Sequence, residues 1–439
     1  MVAMKPDASV MEVEVTANSL VSGYREQPDE ESEASERGNL VVSPYRVGCL
    51  ISHPIQYQVP LFRHLSRNPA IDLTVFFYSD LSLHKYHDPG FGVDVSWDVP
   101  LLGGYKHVFL PALGDSTRLS FSHPISRGLV REFRRSSIEA LWVCGYAHNV
   151  CLRAIAVAKL LGIKVLFYGD PHDGGPHEYS PRKEAIKRRV LPPLFRLIDG
   201  FLATATANAR YYQRYGVPAE RIFLSPYCAD NDFFREKCVQ AHSRREVLRA
   251  ELGFEENRPI ILYASKLQRR KRPLDLVEAY VRLSVDGAEP LPYLLFIGDG
   301  EEREALQNRI AQLRWTSIRL LGFRNQTELP GLFDLCDVFV LPSEREGLAT
   351  VVAEVMNAAK PVVVTNVIGL ADDLIVDGSN GFIIRPRDTA SLTDRLKTLT
   401  SDLSLAAKMG ERGLRSVSRW NYQASESGLL EALHSVLKR

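Results

Sequence analysis

The chain has 439 residues, of which 45% are hydrophobic and 24% are charged, and its formal net charge is +1 at pH 7. This composition is ordinary for a soluble globular protein. The length exceeds what one hydrophobic core usually supports, so we expect two domains. Because the charge is nearly balanced, no overall field attracts nucleic acid, and we predict no nucleic-acid partner.

The sequence also argues against a membrane-spanning or secreted protein. No apolar run approaches the roughly eighteen residues that a spanning helix requires, and the N-terminus lacks the basic-then-apolar pattern of a secretory signal. The six cysteines have no C-x-x-C spacing and lie mostly in or beside apolar runs, which is typical of reduced core thiols. We therefore expect a cytoplasmic location.

Residues 1–44 are polar and partly acidic and show neither helical nor strand periodicity, so we predict a disordered extension. After them, the apolar runs RVGCLIS, DLTVFFYS, ALWVC, KVLFY and DGFLAT alternate with helical patterns. This alternation predicts a doubly wound, Rossmann-like domain over residues 45–235. Within it, residues 84–110 are rich in Gly, Pro, His and aromatic residues and too long for a simple connection, which predicts a functional loop.

The second half of the chain repeats the pattern. The runs RPIILYAS, LPYLLFIGDG, IRLLGF, DVFVLP, PVVVTN and GFIIRP read as six short strands with helices between them. They predict a second doubly wound, Rossmann-like domain over residues 236–418. The tail, residues 419–439, reads as an amphipathic helix. The predicted fold class is therefore α/β with two doubly wound domains.

Chemistry-bearing residues cluster between DVFVLP and PVVVTN. The loop SEREGLA leads into a helix over about residues 350–359, with Glu346 at the mouth of the loop and Glu354 about one turn inside the helix. Open α/β sheets bind ligands just past the carboxyl ends of their strands, and the positive end of a helix favours anions. We therefore predict a site for an anion such as a diphosphate. Its backbone donors are the amides of Gly347, Leu348 and Ala349.

The amino-acid sequence on both sides of this loop resembles that of a known family. The pattern E-G-L-x-x-x-x-x-E before A-K-P-V-V, followed by G-L-x-D-x-I-x-D-G-x-N-G-F-I-I-x-P, resembles the retaining nucleotide-sugar glycosyltransferases of family 4. The resemblance covers nearly all of residues 45–439, with specific motifs from about residue 260 to 386. It implies the GT-B architecture, in which two Rossmann-like domains face each other across a cleft and a C-terminal helix packs back on the first domain.

The resemblance also implies an activity. The chain looks like a hexosyltransferase-type enzyme of polysaccharide biosynthesis, which moves a sugar with retention from a nucleotide-diphosphate sugar to a hydroxyl of a glycan or lipid-linked acceptor. Two alternatives stay open: a sugar-nucleotide epimerase of the same architecture and a non-catalytic sugar-nucleotide binding protein. The E-x7-E text argues against the first, and the intact Glu346, Lys271 and Glu354 argue against the second.

Transfer from a nucleotide sugar requires neutralisation of the charge that develops on the leaving diphosphate. Where the family reads G-R-L-x-x-x-K-G, this chain has S-K-L-Q-R-R-K-R, so Lys266 stands in place of an arginine and Lys271 matches the lysine. Lysine lacks the bidentate fork of arginine, so the grip on the diphosphate should be less directional. We predict that both lysines contact the diphosphate and that no metal or other cofactor is needed; a solvated basic loop is the alternative.

Further roles follow by resemblance. Glu346 would bond the hydroxyls of the donor sugar near the reacting face, and Glu354 would accept from the ribose hydroxyls; neither role requires a shifted pKa. Gly298 and Gly300 resemble the family's G-D-G turn, which lets the backbone approach the nucleotide. Phe323 lies where main-chain groups meet the base in the family, with core packing of its ring as the alternative.

In the family, a histidine after a middle strand of the first domain touches the donor sugar. His148 in G-Y-A-H-N and His172 in G-D-P-H-D both follow predicted strands, and we favour His148 because its loop follows ALWVC with the usual spacing. A plain surface histidine is the alternative. The loop after the first strand has no glycine, so His53, Gln56 and Gln58 could contact substrates with their side chains, or the segment could be a structured turn.

Basic and apolar side chains are interleaved over residues 182–198. This stretch resembles the edge by which related enzymes rest on an anionic bilayer to reach lipid-linked acceptors, so we predict a peripheral contact with the inner membrane face. A solvated helix is the alternative. Pro192 and Pro193 should interrupt any long helix here, which would keep the face short.

Overall fold

The computed structural model of the protein describes residues 43–172, 181–285 and 290–439. Pro44–Arg439 forms one compact unit that contains two parallel β-sheets with helices around them. The predicted α/β class with two doubly wound halves is therefore confirmed. The predicted disordered extension, residues 1–44, lies outside the described residues apart from its last two. No helix in the described ranges is long and apolar enough to cross a membrane.

The first half of the chain builds a seven-stranded sheet flanked by helices. The described strands of this half are the seven of the sheet and four more in the antiparallel pairs β3–β4 and β6–β7. They are β1 (Tyr45–Ile51), β2 (Ile71–Phe77), β3 (Tyr86–Asp88), β4 (Val93–Val95), β5 (Lys106–Phe109), β6 (Ala112–Leu113), β7 (Ile125–Ser126), β8 (Ala140–Cys144), β9 (Lys164–Tyr168), β10 (Gly200–Ala203) and β11 (Ile222–Leu224). Its helices are α1 (Val59–Leu65), α2 (Leu129–Arg135), α3 (Asn149–Leu160), α4 (Pro181–Arg196) and α5 (Thr206–Arg214). The sheet order is β11-β10-β9-β8-β1-β2-β5, and every pairing is parallel.

The second half builds a six-stranded sheet in the same manner. Its strands are β12 (Ile260–Ala264), β13 (Tyr293–Ile297), β14 (Ile318–Leu320), β15 (Val338–Leu341), β16 (Val362–Thr365) and β17 (Gly381–Ile384). Its helices, with the two that end the chain, are α6 (Asn231–His242), α7 (Arg245–Glu251), α8 (Pro273–Val285), α9 (Arg303–Leu313), α10 (Leu329–Leu335), α11 (Thr350–Met356), α12 (Ala371–Leu374), α13 (Thr389–Ser401), α14 (Leu403–Ser418) and α15 (Tyr422–Leu437). The order is β14-β13-β12-β15-β16-β17, again with parallel pairings.

The first sheet is covered on both faces, which explains why its strands are apolar throughout. Successive side chains of a strand point to opposite faces. In β1, Val47 and Cys49 enter one core, whereas Leu50 enters the other. A parallel sheet buried on both faces needs such continuous apolar runs.

All six cysteines are free and five of them are buried.

The stretch that was predicted as an irregular functional loop, residues 84–110, is largely structured. It contains the antiparallel β3–β4 hairpin, and β5 pairs with β2 at the edge of the first sheet. The hairpin reaches the second half of the chain, where Asp88 forms an ion pair with Lys266.

Helix α4 differs from its prediction. It continues through Pro192 and Pro193 to Arg196, so the two prolines do not interrupt it. The buried side chains of Leu191 and Phe195 anchor this last part of the helix in the core of the first half. Their burial offsets the loss of the two N–H donors that proline lacks.

The last helix returns to the first sheet. α15 packs across β9, β10 and β11. Gly428 permits this close approach, because a Cβ there would collide with the main-chain oxygen of Leu224. Beside this contact, the hydroxyls of Ser225 and Ser425 are hydrogen-bonded at 3.0 Å.

The chain crosses between the two sheets at neighbouring points. It leaves the first sheet after β11 and enters α6 at Asn231, and it returns after α14 through Trp420. The side-chain amide of Asn231 donates to the main-chain oxygens of Val417 and Trp420, each at 3.0 Å. The two crossings are therefore hydrogen-bonded to each other. The predicted domain boundaries after residues 235 and 418 stay predictions.

Candidate active site

The loops that follow the strands of the two sheets meet in one cleft. After β9, Nε2 of His172 lies 2.7 Å from the main-chain oxygen of Glu346, which follows β15. After β12, Nζ of Lys266 lies 2.8 and 3.0 Å from the carboxylate oxygens of Asp88. His172, Glu346 and Lys266 follow the carboxyl ends of parallel strands, which is the edge at which open α/β sheets bind ligands, and Asp88 reaches this edge from antiparallel β3.

Glu346 is the centre of a buried charge cluster at this edge. Its side chain is 6% exposed and forms an ion pair with Lys271, whose side chain is 10% exposed. Nη1 of Arg270 lies 3.5 Å from the carboxylate, the hydroxyl of Ser343 donates to it at 3.1 Å, and the amide of Gly347 donates at 2.9 Å. Each of these partners is a cation or a hydrogen-bond donor, so the cluster is built around a negative charge.

The cluster keeps Glu346 ionised. Burial by itself would raise the pKa of this carboxyl, but the charge and hydrogen bond of Lys271, assisted by Arg270, hold the pKa of Glu346 below its usual value. Burial lowers the pKa of Lys271, against the pull of its partner. Removing either member of such a pair leaves a buried charge without compensation, which typically costs about 3–5 kcal/mol.

The amides of the predicted anion site are partly occupied by the protein itself. Gly347 donates its amide to Glu346, and the side chain of Leu348 is buried. Ala349 precedes α11 in the left-handed conformation, with φ of 59°, and α11 ends at Met356, three residues earlier than predicted. With so short a helix, the cationic side chains are the main source of positive potential here.

Lys266 has a different carboxylate partner from the Glu346 cluster. Its ammonium is bound by Asp88 of β3 and lies 4.6 Å from the ring centroid of Phe91, in the turn of the hairpin. The side chain is 33% exposed. The two lysines that were predicted to contact the diphosphate are thus held by different carboxylates, Lys271 from its own half and Lys266 from the other half.

Gly298 and Gly300 let the backbone pack closely at the end of β13. Their φ angles are 125° and 147°, which side chains rarely adopt. A Cβ at Gly298 would collide with the main-chain oxygen of Ser265, and one at Gly300 would lie 2.6 Å from that of Leu267. Both positions therefore require glycine.

The end of β14 faces the hairpin as well. Phe323 is half-buried, and its ring meets Phe91 edge-on, with centroids 4.9 Å apart and an interplanar angle of 77°. Trp97 lies beyond it at 6.3 Å. The ring of Phe323 thus packs on the hairpin rather than in the core of its own sheet. Asp88 and Phe91 were not singled out from the sequence; the available signal was the glycine-rich, aromatic composition of residues 84–110.

Glu354 has the opposite electrostatic setting to Glu346. It is enclosed by the cleft, and burial raises the pKa of its carboxyl to about 7, with no partner among the described residues to offset the burial. Burial also raises the pKa of Tyr57 to about 12, with smaller contributions from the charges of Asp170 and Glu354. The expected roles of the two glutamates required no shift, yet the pKa of one falls and that of the other rises.

The two candidate histidines lie in different environments. His172 is buried against the main-chain oxygen of Glu346. His148 is the residue before α3, and its Nδ1 lies 3.1 Å from the hydroxyl of Tyr78. Burial lowers the pKa of His148. Of the two histidines, His172 contacts the main chain of Glu346, and the predicted contact of His148 with the donor sugar stays a prediction.

The segment that carries His172 is held by α5. The side-chain amide of Asn208 donates to the main-chain oxygen of Pro171, and its oxygen accepts from the amide of Thr204 at 3.0 Å. Asp170 lies just after β9, and desolvation of its carboxyl raises its pKa. Asp170 is a further carboxylate at this edge; it lies in the G-D-P-H-D run that was quoted for His172, but no role was predicted for it.

The glycine-free loop after β1 forms a structured turn. Nδ1 of His53 lies 2.9 Å from the hydroxyl of Ser52. Burial, together with the nearby His148, lowers the pKa of His53 to about 4, so this histidine is neutral at pH 7. Gln58 is buried just before α1, and its side-chain oxygen has no hydrogen-bond partner within the described ranges.

Comparison with known proteins agrees with this architecture. Residues 244–416 match the family model described as glycosyl transferases group 1. The chain is 29% identical over 211 residues to alpha-D-kanosaminyltransferase of Streptomyces kanamyceticus, covering 48% of this chain and 53% of that protein. It is 28% identical over 261 residues to D-inositol 3-phosphate glycosyltransferase of Nocardia farcinica, covering 58% and 56%. The chain thus spans about half the length of the curated relatives it matches.

Solved structures extend the likeness to the whole fold. Anabaena Alr3699/HepE in complex with UDP and glucose superposes with a TM-score of 0.64 at 18% sequence identity, covering 89% of this chain and 100% of that one. At such low identity the likeness concerns the fold alone, which is the predicted GT-B architecture. The chain therefore has the GT-B fold, and its residues 244–416 match the model of group 1 glycosyl transferases.

Proposed function

We propose that the protein is a retaining, metal-independent glycosyltransferase of the hexosyltransferase type. It moves a sugar from a nucleotide-diphosphate sugar to a hydroxyl of a glycan or lipid-linked acceptor. The observation that carries the proposal is the buried ion pair of Glu346 and Lys271, which lies beside His172 where the strand ends of both sheets meet. The match of residues 244–416 to group 1 glycosyl transferases supports the same class of reaction.

Fixed cations supply the electrostatic work in this proposal. Negative charge develops on the diphosphate as its bond to the sugar breaks, and preorganised groups that stabilise this charge contribute the largest catalytic effect. Lys271 and Arg270 pair with Glu346, and Lys266 lies in the same loop after β12. Retention follows if the acceptor attacks from the front face while a leaving phosphate oxygen takes its proton.

The two glutamates suit different parts of the donor. The ionised Glu346 accepts from hydroxyls of the donor sugar, with His172 beside it. Glu354 accepts from the ribose hydroxyls, and its enclosed carboxylate lacks a protein partner within the described ranges. Enclosed acceptors of this kind favour substrates that carry the matching hydroxyl, because an analogue without it leaves the acceptor unpaired.

The surface of α4 supports a lipid-linked acceptor. Ile186 and Val190 are 62% and 54% exposed and lie four residues apart, hence on one side of the helix. The exposed Arg182 and Arg189 flank them. Apolar side chains between basic ones favour an anionic bilayer, so we assign the protein to the cytoplasmic face of the inner membrane.

A binding and hydrolysis panel of UDP-, GDP-, ADP- and dTDP-sugars, run with EDTA, tests the proposal. A raised unfolding temperature with one nucleotide family, together with slow release of its sugar, is the expected result. A response that requires a divalent metal would contradict the metal-independent mechanism. Absence of any response would favour a protein of another function.

A further inference from the structure

A short strap from the first half of the chain crosses the nucleotide end of the proposed donor site. The strap is residues 86–98, which comprise the β3–β4 hairpin and the segment after it. Its turn lies against the strand ends of the second sheet, so closely that a Cβ at Gly300 would lie 3.0 Å from the main-chain oxygen of Gly90. The strap therefore covers the ends of β12, β13 and β14.

Two side chains of the strap reproduce the chemistry of a nucleoside diphosphate. The carboxylate of Asp88 lies 2.8 and 3.0 Å from Nζ of Lys266, the cation proposed for the diphosphate. The ring of Phe91 meets Phe323, near which the family resemblance places the base, with centroids 4.9 Å apart. The turn holds the carboxylate in place, because its Oδ1 also accepts from the amides of Gly90 and Phe91 at 2.7 and 3.0 Å. An anion on the cation and a flat ring on the aromatic residue are the two features that a nucleotide presents.

The strap is held further by the burial of Val95, by the contact of Trp97 with Phe323 and by polar contacts with Asn325 and Thr327. The side-chain amide of Asn325 donates to the main-chain oxygen of Ser96 at 2.7 Å, and the amide of Thr327 donates to Asp98 at 3.2 Å. Both contacts are exposed, and exposed polar contacts contribute little because water replaces them. In the described part of the chain, β3 and β4 pair only with each other, so the strap can lift without breaking either sheet.

We propose that the strap occupies the nucleoside-diphosphate part of the donor site in the ligand-free protein and that a donor binds by displacing it. The inference rests on the proposed function, because it assumes a nucleotide at this edge. On binding, Lys266 exchanges Asp88 for the diphosphate, and Phe323 exchanges Phe91 for the base. The apparent affinity of a donor is its intrinsic affinity multiplied by the fraction of molecules whose strap is undocked. The docked strap thus lowers the apparent affinity of the site for a donor.

The test is the binding of UDP, GDP and ADP to the full chain, measured by calorimetry with EDTA present. Asp88→Asn keeps an acceptor oxygen for the turn amides and removes the charge that holds Lys266. If nine in ten molecules have the strap docked, its release tightens binding of the preferred nucleotide about tenfold. Asp94→Asn is the matched control on the same hairpin, because this carboxylate contacts Lys85 and His87 instead, and it leaves the affinity unchanged.

Hydrogen exchange over residues 86–98 is the second readout. Bound nucleotide should accelerate amide exchange in the strap of the wild-type protein, as Asp88→Asn does without nucleotide. Weaker binding by Asp88→Asn, or protection of the strap by nucleotide, would mean that the strap is a wall of the site and would overturn the proposal. Equal affinities of the wild type and both variants would also overturn it. If neither the wild type nor either variant binds any of the three nucleotides, and no sugar nucleotide of the donor panel gives a response, the proposed function fails too. Binding with equal affinities overturns the strap alone.

Discussion

Nε2 of His172 lies 2.7 Å from the main-chain oxygen of Glu346, so the two halves of the chain touch at the residue that carries the buried carboxylate. His172 follows a strand of the first sheet, and Glu346 follows a strand of the second. A site with this contact is assembled from both sheets. Neither half alone supplies both the carboxylate of Glu346 and the imidazole of His172.

This contact predicts which histidine matters for transfer. His172→Ala should lower kcat about 10²-fold, because the donor sugar loses a positioned neighbour at the reacting face. His148→Ala should have a much smaller effect, since His148 contacts Tyr78. Steady-state transfer with the donor that the panel identifies provides the measurement. Similar losses in the two variants would speak against a special role for His172.

The carboxylate of Glu346 should be required for transfer and not for nucleotide binding. Glu346→Gln retains the shape of the side chain but leaves Lys271 without its counter-charge, and we expect kcat to fall by about 10² to 10³. Nucleotide affinity, measured by calorimetry, should be largely spared. Glu344→Gln is the control, because Glu344 lies in the same loop and pairs with Arg387 instead. Full transfer by Glu346→Gln would show that the assignment is wrong.

The raised pKa of Glu354 predicts two opposite pH dependences. Between its usual value of 4.5 and about 7, the folded protein holds a proton that the unfolded chain has released. The free energy of unfolding should therefore fall as the pH rises through this range, and Glu354→Gln should remove that fall. Nucleotide affinity should rise as the pH passes about 7, because the ribose hydroxyls need an ionised acceptor.

Thermal unfolding and nucleotide calorimetry at several pH values between about 5 and 8 check the Glu354 prediction. The stability measurement needs no nucleotide, so it tests the carboxyl group itself. A wild-type stability profile identical to that of Glu354→Gln would mean that Glu354 titrates normally. Nucleotide binding independent of pH would instead remove Glu354 from the ribose site.

The close contact of α15 with the first sheet predicts a sensitive glycine. Gly428→Ala should destabilise the protein by about 1–3 kcal/mol or more, because the added methyl group meets the main-chain oxygen of Leu224, which cannot move as a side chain can. Ser427→Ala, at an exposed position of the same helix, should be nearly neutral. Chemical denaturation of both variants provides the comparison. Equal stability of the two would mean that α15 can shift at no cost.

The exposed apolar pair on α4 predicts membrane association. The double substitution Ile186→Ser and Val190→Ser should weaken binding to vesicles that contain anionic lipid, because it removes the apolar area that would enter the interface. Val239→Ser is the control, since Val239 is 75% exposed on α6 and lies outside the basic face. Vesicle flotation measures the effect. Unchanged flotation of the double variant would leave α4 as an ordinary solvated helix.

The sheets could be predicted from the sequence because their strands are buried on both faces. Continuous apolar runs such as that of β1 reflect a local requirement, and each run can be recognised without its neighbours. Gly298 and Gly300 could be recognised similarly, since each is required by its own backbone conformation.

The partners across the cleft could not be predicted in this way. Asp88 and Lys266 are 178 residues apart in the chain, and their contact depends on how the hairpin crosses to the other half. The choice between His148 and His172 depends on which strand end lies nearest to Glu346. Both residues follow apolar strands, so periodicity does not distinguish them. The continuation of α4 through its prolines likewise depends on tertiary packing, which overrides local propensity.

The side-chain amide of Asn231 binds the main chain at Val417 and Trp420, so the outgoing and returning segments run side by side. We expect two adjacent tethers of this kind to act as a hinge about which the second half swings. On this expectation the cleft would open and close about the crossing point, and His172 would meet Glu346 again at each closure.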